Sequence, residues 1–241
     1  MIFEGLGKTI ATSLISVLVL GMVPAHAADL GRSGPPPYAV EPDRAPIRSI
    51  WDGVYYGASV GYGWGESDHY YDRNDNHGTA TQELDGALAS ITAGYNYRVS
   101  PAFLIGVEGD LGVMDLNADD KVIFDGHIWK SQFGPFWGTV RARAGWLWGN
   151  FLLYGTGGLA FMSVDEVGIG DADGQTADNR SVRSGWVLGG GVEYAVTSRM
   201  TTKIEYLHMD FGRYEGYSEN QEHYYFDNRV NLVRAGLNVK F

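Results

Sequence analysis

From Trp51 onward the chain alternates apolar and polar positions with a period of two. Over residues 52–65, Val54, Tyr56, Ala58, Val60, Tyr62 and Trp64 share one parity. Tyr55, Gly57, Ser59, Gly61, Gly63 and Gly65 hold the other. Side chains of a strand point alternately to its two faces, so this segment predicts a strand with one aromatic face and one small, polar face. Seven further segments follow suit: 86–98, 103–112, 136–148, 151–161, 185–194, 200–208 and 230–241. Segment 151–161 alternates poorly. Segments of about ten residues match the length of a tilted strand crossing a bilayer.

The connections alternate strictly between long and short. The long ones are 66–85, 113–135, 162–184 and 209–229. The short ones are 99–102, 149–150 and 195–199. A soluble sandwich has no reason to keep that alternation. An outer-membrane barrel does, with short periplasmic turns and longer extracellular loops. The predicted fold class is therefore all-β: an eight-stranded antiparallel transmembrane β-barrel over residues 51–241. No apolar run approaches the length of a spanning helix.

The residues before Trp51 read differently. Lys8, the apolar stretch Ile10–Val23 and Ala25-His26-Ala27 have the layout of a secretory signal peptide, 1–27, cleaved between Ala27 and Ala28. Residues 28–50, with Pro35, Pro36, Pro37, Pro42 and Pro46, carry no periodicity. They predict an extended periplasmic spacer.

Charge sharpens the picture. The 241 residues hold 18 Lys plus Arg against 29 Asp plus Glu, a formal charge of −11, and no cysteine. An acidic chain lacks the basic face of a nucleic-acid binder, so no nucleic-acid partner is expected. Acids outnumber bases by more than two to one in the four long connections. Charges within the strands fall on the small, polar face: Glu108, Asp110, Glu193 and Glu205 against Arg141, Arg143, Lys203, Arg234 and Lys240. In an eight-stranded barrel that face is the interior, just wide enough for side chains to fill. These nine residues are expected to form an ion-paired network in the lumen, because unpaired charge there is costly.

The chain closes with Arg234-Ala-Gly-Leu-Asn-Val-Lys-Phe241. Gly236, Val239 and the aromatic Phe241 have the spacing of the signal read by outer-membrane assembly machinery. Together with Trp51-Asp-Gly-Val-Tyr-Tyr-Gly57, Ala93-Gly-Tyr-Asn96, Gly106-Val-Glu-Gly-Asp110, Gly138-Thr-Val-Arg-Ala-Arg-Ala-Gly145, Tyr154-Gly-Thr-Gly-Gly158 and Glu205-Tyr206, the chain resembles the small eight-stranded outer-membrane proteins of α-proteobacteria. These are OmpA-like barrels of the porin-family or outer-membrane immunogenic type. The resemblance implies an abundant envelope protein and a bacterial outer-membrane location. It also implies contacts with membrane lipid and lipopolysaccharide, the assembly machinery, and host or surface ligands through the loops. Some members of the family bind hemin or act as surface antigens.

Candidate chemistry is sparse. Gly155-Thr-Gly-Gly158 lacks the lysine of a phosphate loop and reads as close strand packing. Asp171-Ala-Asp-Gly174 opens like a calcium loop but lacks the closing glutamate. His69, His77, His223 and Tyr224 lie in long connections and are weak hemin-iron candidates, with exposed loop residues the plainer reading. His208 is the one histidine near a predicted strand end, with no Ser or Asp partner legible. The expected function is a non-enzymatic surface protein of the envelope, without cofactor or metal. A hemin receptor and a small diffusion channel are the alternatives.

Overall fold

The computed structural model describes residues 50–241 apart from 74–75, 119–121, 125–126, 170–175 and 218–222. The proposed signal peptide with its Ala27–Ala28 junction, residues 28–49 of the proline-rich segment and the whole Asp171–Gly174 motif lie outside the described residues.

Nine strands follow in order: β1 (Gly53–Arg73), β2 (Asn76–Ser100), β3 (Phe103–Asn117), β4 (Val122–Phe124), β5 (His127–Trp148), β6 (Phe151–Ile169), β7 (Thr176–Ala195), β8 (Met200–Tyr217) and β9 (His223–Lys240). All pair antiparallel with neighbours. β1 meets β9 from Tyr55 opposite Lys240 to Asp72 opposite His223, and β3 meets β5, so the sheet closes on itself. β4 is a three-residue addition to the edge of β5. The other eight strands make a closed antiparallel barrel, which leaves no open edge inside the bilayer. The tight turn between β5 and β6 contains Gly149 at φ +58°, a conformation glycine takes without steric cost.

The outer face carries a continuous apolar band. On β1 it runs from Val54 to Trp64, and on β9 from Val233 to Phe241. Eleven residues at ~3.3 Å per residue, tilted by ~45°, span roughly 25 Å, the height of the lipid-facing belt of such barrels. Aromatic side chains line it, among them Tyr56, Tyr95, Trp146, Trp148 and Phe241, all exposed. Past the band the outer face turns acidic at once: Glu66 follows Trp64 on β1, and Asp115 follows Val113 on β3.

The strands extend well beyond the segments expected from the sequence. Much of the four long connections is strand, not loop: β1 continues to Arg73, and β5 begins at His127. The reason is an inversion of pattern. Within the bilayer the apolar residues face out. Beyond it the alternation persists, but Leu84, Met162, Val164 and Val230 turn inward while Glu83, Asp115 and Arg229 face water. A search for strands with an apolar outer face ends where that face becomes wet.

Candidate functional site

The barrel interior is layered. At the end that carries the short turns, Trp51, Leu104, Leu152, Tyr154 and Ala195 form a small apolar cluster. Above it lies the ionic layer. Above that, Leu84, Leu88, Met114, Leu116, Phe133, Trp137 and nine further residues from β6 to β9 fill the lumen as an apolar core. The sequence reading placed charge in the interior but not this upper core. Its signal was present as Leu, Met and Val on the same parity as Glu108 and Glu205.

The ionic layer is built from strands that sit far apart in sequence. Glu108 and Arg141 are directly opposite each other on β3 and β5, as are Glu193 and Lys203 on β7 and β8, and Glu205 and Arg234 on β8 and β9. Arg141 and Arg234 are the hubs. Arg141 donates through Nη2 to Glu108 and to Asp110 Oδ2 (2.7 Å), and through Nη1 to Glu205 Oε1 (3.0 Å). Arg234 donates to both Asp110 oxygens (2.9 and 3.0 Å) and through Nε to Glu205 Oε2 (2.7 Å). Arg143 bonds Glu193 (2.8 Å) and Glu108 (3.3 Å). Lys203 Nζ lies 3.2 Å from both Glu108 oxygens. Both hub guanidiniums have fully buried side chains.

Neutral donors complete the carboxylate shells. Tyr55 donates to Glu108 (2.6 Å) and Tyr154 to Glu205 (2.9 Å). Thr92 and Thr139 donate to Asp110 (2.7 and 2.8 Å), and Thr201 and Asn238 to Glu193 (2.5 and 3.0 Å). Tyr55 owes its place to Gly94 on β2, whose missing side chain leaves room for the phenol ring. Charges taken out of water are tolerable only with this degree of hydrogen bonding. Lys240 stands apart. It is buried, its ammonium lies 5.1 Å from the Tyr55 ring centroid, and it forms no ion pair among the described residues.

The histidines sit differently from the loop positions expected. His69 belongs to β1 and points inward above the lipid band. Its ring meets Phe226 edge-on at 4.8 Å, and Nε2 lies 3.5 Å from Ser131 Oγ. Burial pulls its pKa down to about 4. The side chains of His77, His223 and Tyr224 lie outside the described residues. His208 is in mid-strand on β8, facing outward, with Nδ1 2.8 Å from Asn231 Oδ1 and its ring 5.3 Å from that of Trp186. Gly155–Gly158 lies within β6, where a side chain at Gly158 would strike the Val140 carbonyl. Phe241 is lipid-exposed and packs edge-to-face on Tyr56 at 5.5 Å, with Val239 on the same face and Gly236 on the inward one.

The family model for the outer membrane protein beta-barrel domain matches residues 15–241. The chain is 32% identical to the 31 kDa outer-membrane immunogenic protein of Brucella melitensis over 95% of its own length and 98% of that protein's. It is 31% identical to a 22 kDa outer membrane protein of Rhizobium leguminosarum bv. viciae over 82% of each. Among solved structures, Neisserial surface protein A aligns with a TM-score of 0.44 at 15% identity, covering 79% of this chain and 100% of that one. The pattern, the closed barrel and these relatives agree: the chain is an outer-membrane protein and belongs to the outer-membrane β-barrel family that includes the α-proteobacterial immunogenic proteins.

Proposed function

We propose that this chain is a non-catalytic surface protein of the bacterial envelope. The barrel anchors it, and the acidic strand extensions meet other molecules outside. The observation that carries this reading is the stacked lumen: an ion-paired layer held between two apolar layers. A barrel built this way is a solid pin in the membrane, not a conduit. Its lipid-facing belt contacts outer-membrane lipid and lipopolysaccharide. The β9 residues Gly236, Val239 and Phe241 serve the assembly machinery. The relatives' printed names, immunogenic outer-membrane proteins, suit a chain displayed at the surface. Of the four hemin candidates, His69 is turned into the lumen, and the side chains of His77, His223 and Tyr224 lie outside the described residues.

Deletion of the gene tests the reading. Sensitivity to detergents and bile-type amphiphiles is expected to rise, while uptake of small solutes and hemin stays at the parental level. Antibody tags at residues 72–76 and 216–220 should be reached on intact cells, and tags at 149–150 should not. Unchanged envelope sensitivity, or labelling of residues 149–150 from outside, would overturn it.

A further inference from the structure

Charge in the lower lumen does not balance. Its buried carboxylates are four, Glu108, Asp110, Glu193 and Glu205, and its buried cations five, Arg141, Arg143, Lys203, Arg234 and Lys240. Arg141, Arg143, Lys203 and Arg234 each sit on at least one of the carboxylates. Lys240 is the fifth. Its ammonium nitrogen is closed to solvent and has no hydrogen-bond partner. The acids whose charge reaches it are engaged elsewhere. Glu193 accepts from Arg143, Thr201 and Asn238, and Asp52 is paired with Arg98. An unpaired ammonium is among the costliest groups to take out of water.

The groups around Lys240 repeat the shortfall. Lys240 lies opposite Tyr55 of β1, and its stem carries Nζ to 5.1 Å from the centroid of that ring. The hydroxyl end of the same ring rests against Gly94 of β2. The next inward position along β2, toward the short turns, is Asn96, opposite Gly53. Asn96 is buried, and neither its amide nitrogen nor its oxygen has a partner. A side chain built on Gly53 would meet nothing within 4 Å, so β1 puts no side chain beside that amide. Across Gly106 from Asn96 runs the Arg143 stem, whose Nε is unbonded as well.

We infer that a small monovalent anion of the halide class binds at the short-turn end of the lumen, between the Lys240 ammonium and the Asn96 amide N–H. Three observations select it. The surplus is a single positive charge, which one monovalent anion cancels. Of the unbonded groups around Tyr55, Lys240 Nζ, Asn96 Nδ2 and Arg143 Nε are donors, and two of the three belong to cations; only the amide oxygens of Asn96 and Asn238 stand against them. This end of the lumen also holds the apolar cluster of Trp51, Leu104, Leu152 and Ala195. A polyanion such as phosphate would shed far more water to reach the same donors. A water molecule would satisfy the hydrogen bonds and leave the charge. The inference does not depend on what the barrel meets outside the cell.

The test uses the full chain folded in detergent. Urea unfolding is followed by heat-modifiable gel mobility at constant ionic strength, with chloride replacing gluconate, an anion too large for the site. The folded-to-unfolded ratio is expected to rise at least threefold from about 10 to about 300 mM chloride, as for a ligand that binds the folded state alone. Lys240→Met is expected to abolish the rise by removing the surplus charge. Asn96→Asp is expected to abolish it by supplying a carboxylate in the ion's place. Crystals grown in bromide are expected to show an anomalous peak in contact with Lys240 Nζ. A ratio that ignores chloride, a chloride effect that survives Lys240→Met, or a peak without anomalous signal at Lys240 would each overturn the inference. Should Asn96→Asp fail to fold, Lys240→Met and the bromide map still decide.

Discussion

At the scale of single residues, the lumen stands or falls on its hubs. Arg141 touches Glu108, Asp110 and Glu205. Replacing it with alanine takes a shared cation from three buried carboxylates and leaves them to Arg143, Lys203 and Arg234. Removing one partner of a buried pair costs about 3 to 5 kcal/mol. Arg141→Ala is therefore expected to lower the urea midpoint of the folded barrel in detergent by a margin of that size. Lys240→Met, which breaks no ion pair, should cost far less. Equal effects would contradict the network as drawn. His69 gives a pH signature. It lies five residues, roughly 16 Å of strand, beyond the last lipid-facing residue of β1. Its folded pKa is about 4 against 6.5 when free, because burial disfavours the imidazolium. The unfolded chain therefore takes up the proton first, and stability present above pH 6.5 is lost as pH falls toward 4. His69→Gln should flatten the unfolding midpoint across that window, and an unaltered slope would place the imidazole in water.

At the scale of elements, the closing strand carries the sharpest expectation. Val239 and Phe241 face lipid, and Phe241 packs on Tyr56 of β1, the strand that β9 must find to close the barrel. An aspartate there places charge in the interfacial aromatic belt, where rings are favoured. Phe241→Asp should leave export intact, reduce the heat-modifiable folded fraction, and increase periplasmic degradation; assembly at the unaltered level would show that this ring is dispensable. How far such elements could be read in advance depended on which face was apolar. β1 from Val54 to Trp64 and β9 from Val233 onward were plain, because lipid demands an unbroken outer apolar face. The inward charges were equally legible, since no charge survives on that outer face. The upper strands were missed as strands: there Leu84, Met162 and Val164 point in, and the outer residues look like loop. The end of the β7–β8 ladder at Trp186 opposite Asp210, and the register shift of β8 against β9 around Gly212, were invisible for another reason. They are properties of pairing between strands, and a single chain's alternation says nothing of which ladder ends early.

At the scale of the whole molecule, the layered interior decides what kind of outer-membrane protein this is. The same eight strands around a wet, weakly bonded lumen would admit ions. Here Arg141, Arg234, Glu108, Asp110 and Glu205 lock one another at the centre, and Leu116, Phe133, Met162, Leu207 and Leu232 fill the space above. Among the described residues, apolar side chains fill most of that layer, and most of the charges below it are bonded to one another. The direct measurement is single-channel recording of the purified, folded monomer in a planar lipid bilayer. The account expects a silent membrane, without a steady open level at either polarity. A stable conductance that scales with salt would contradict it and make the barrel a channel.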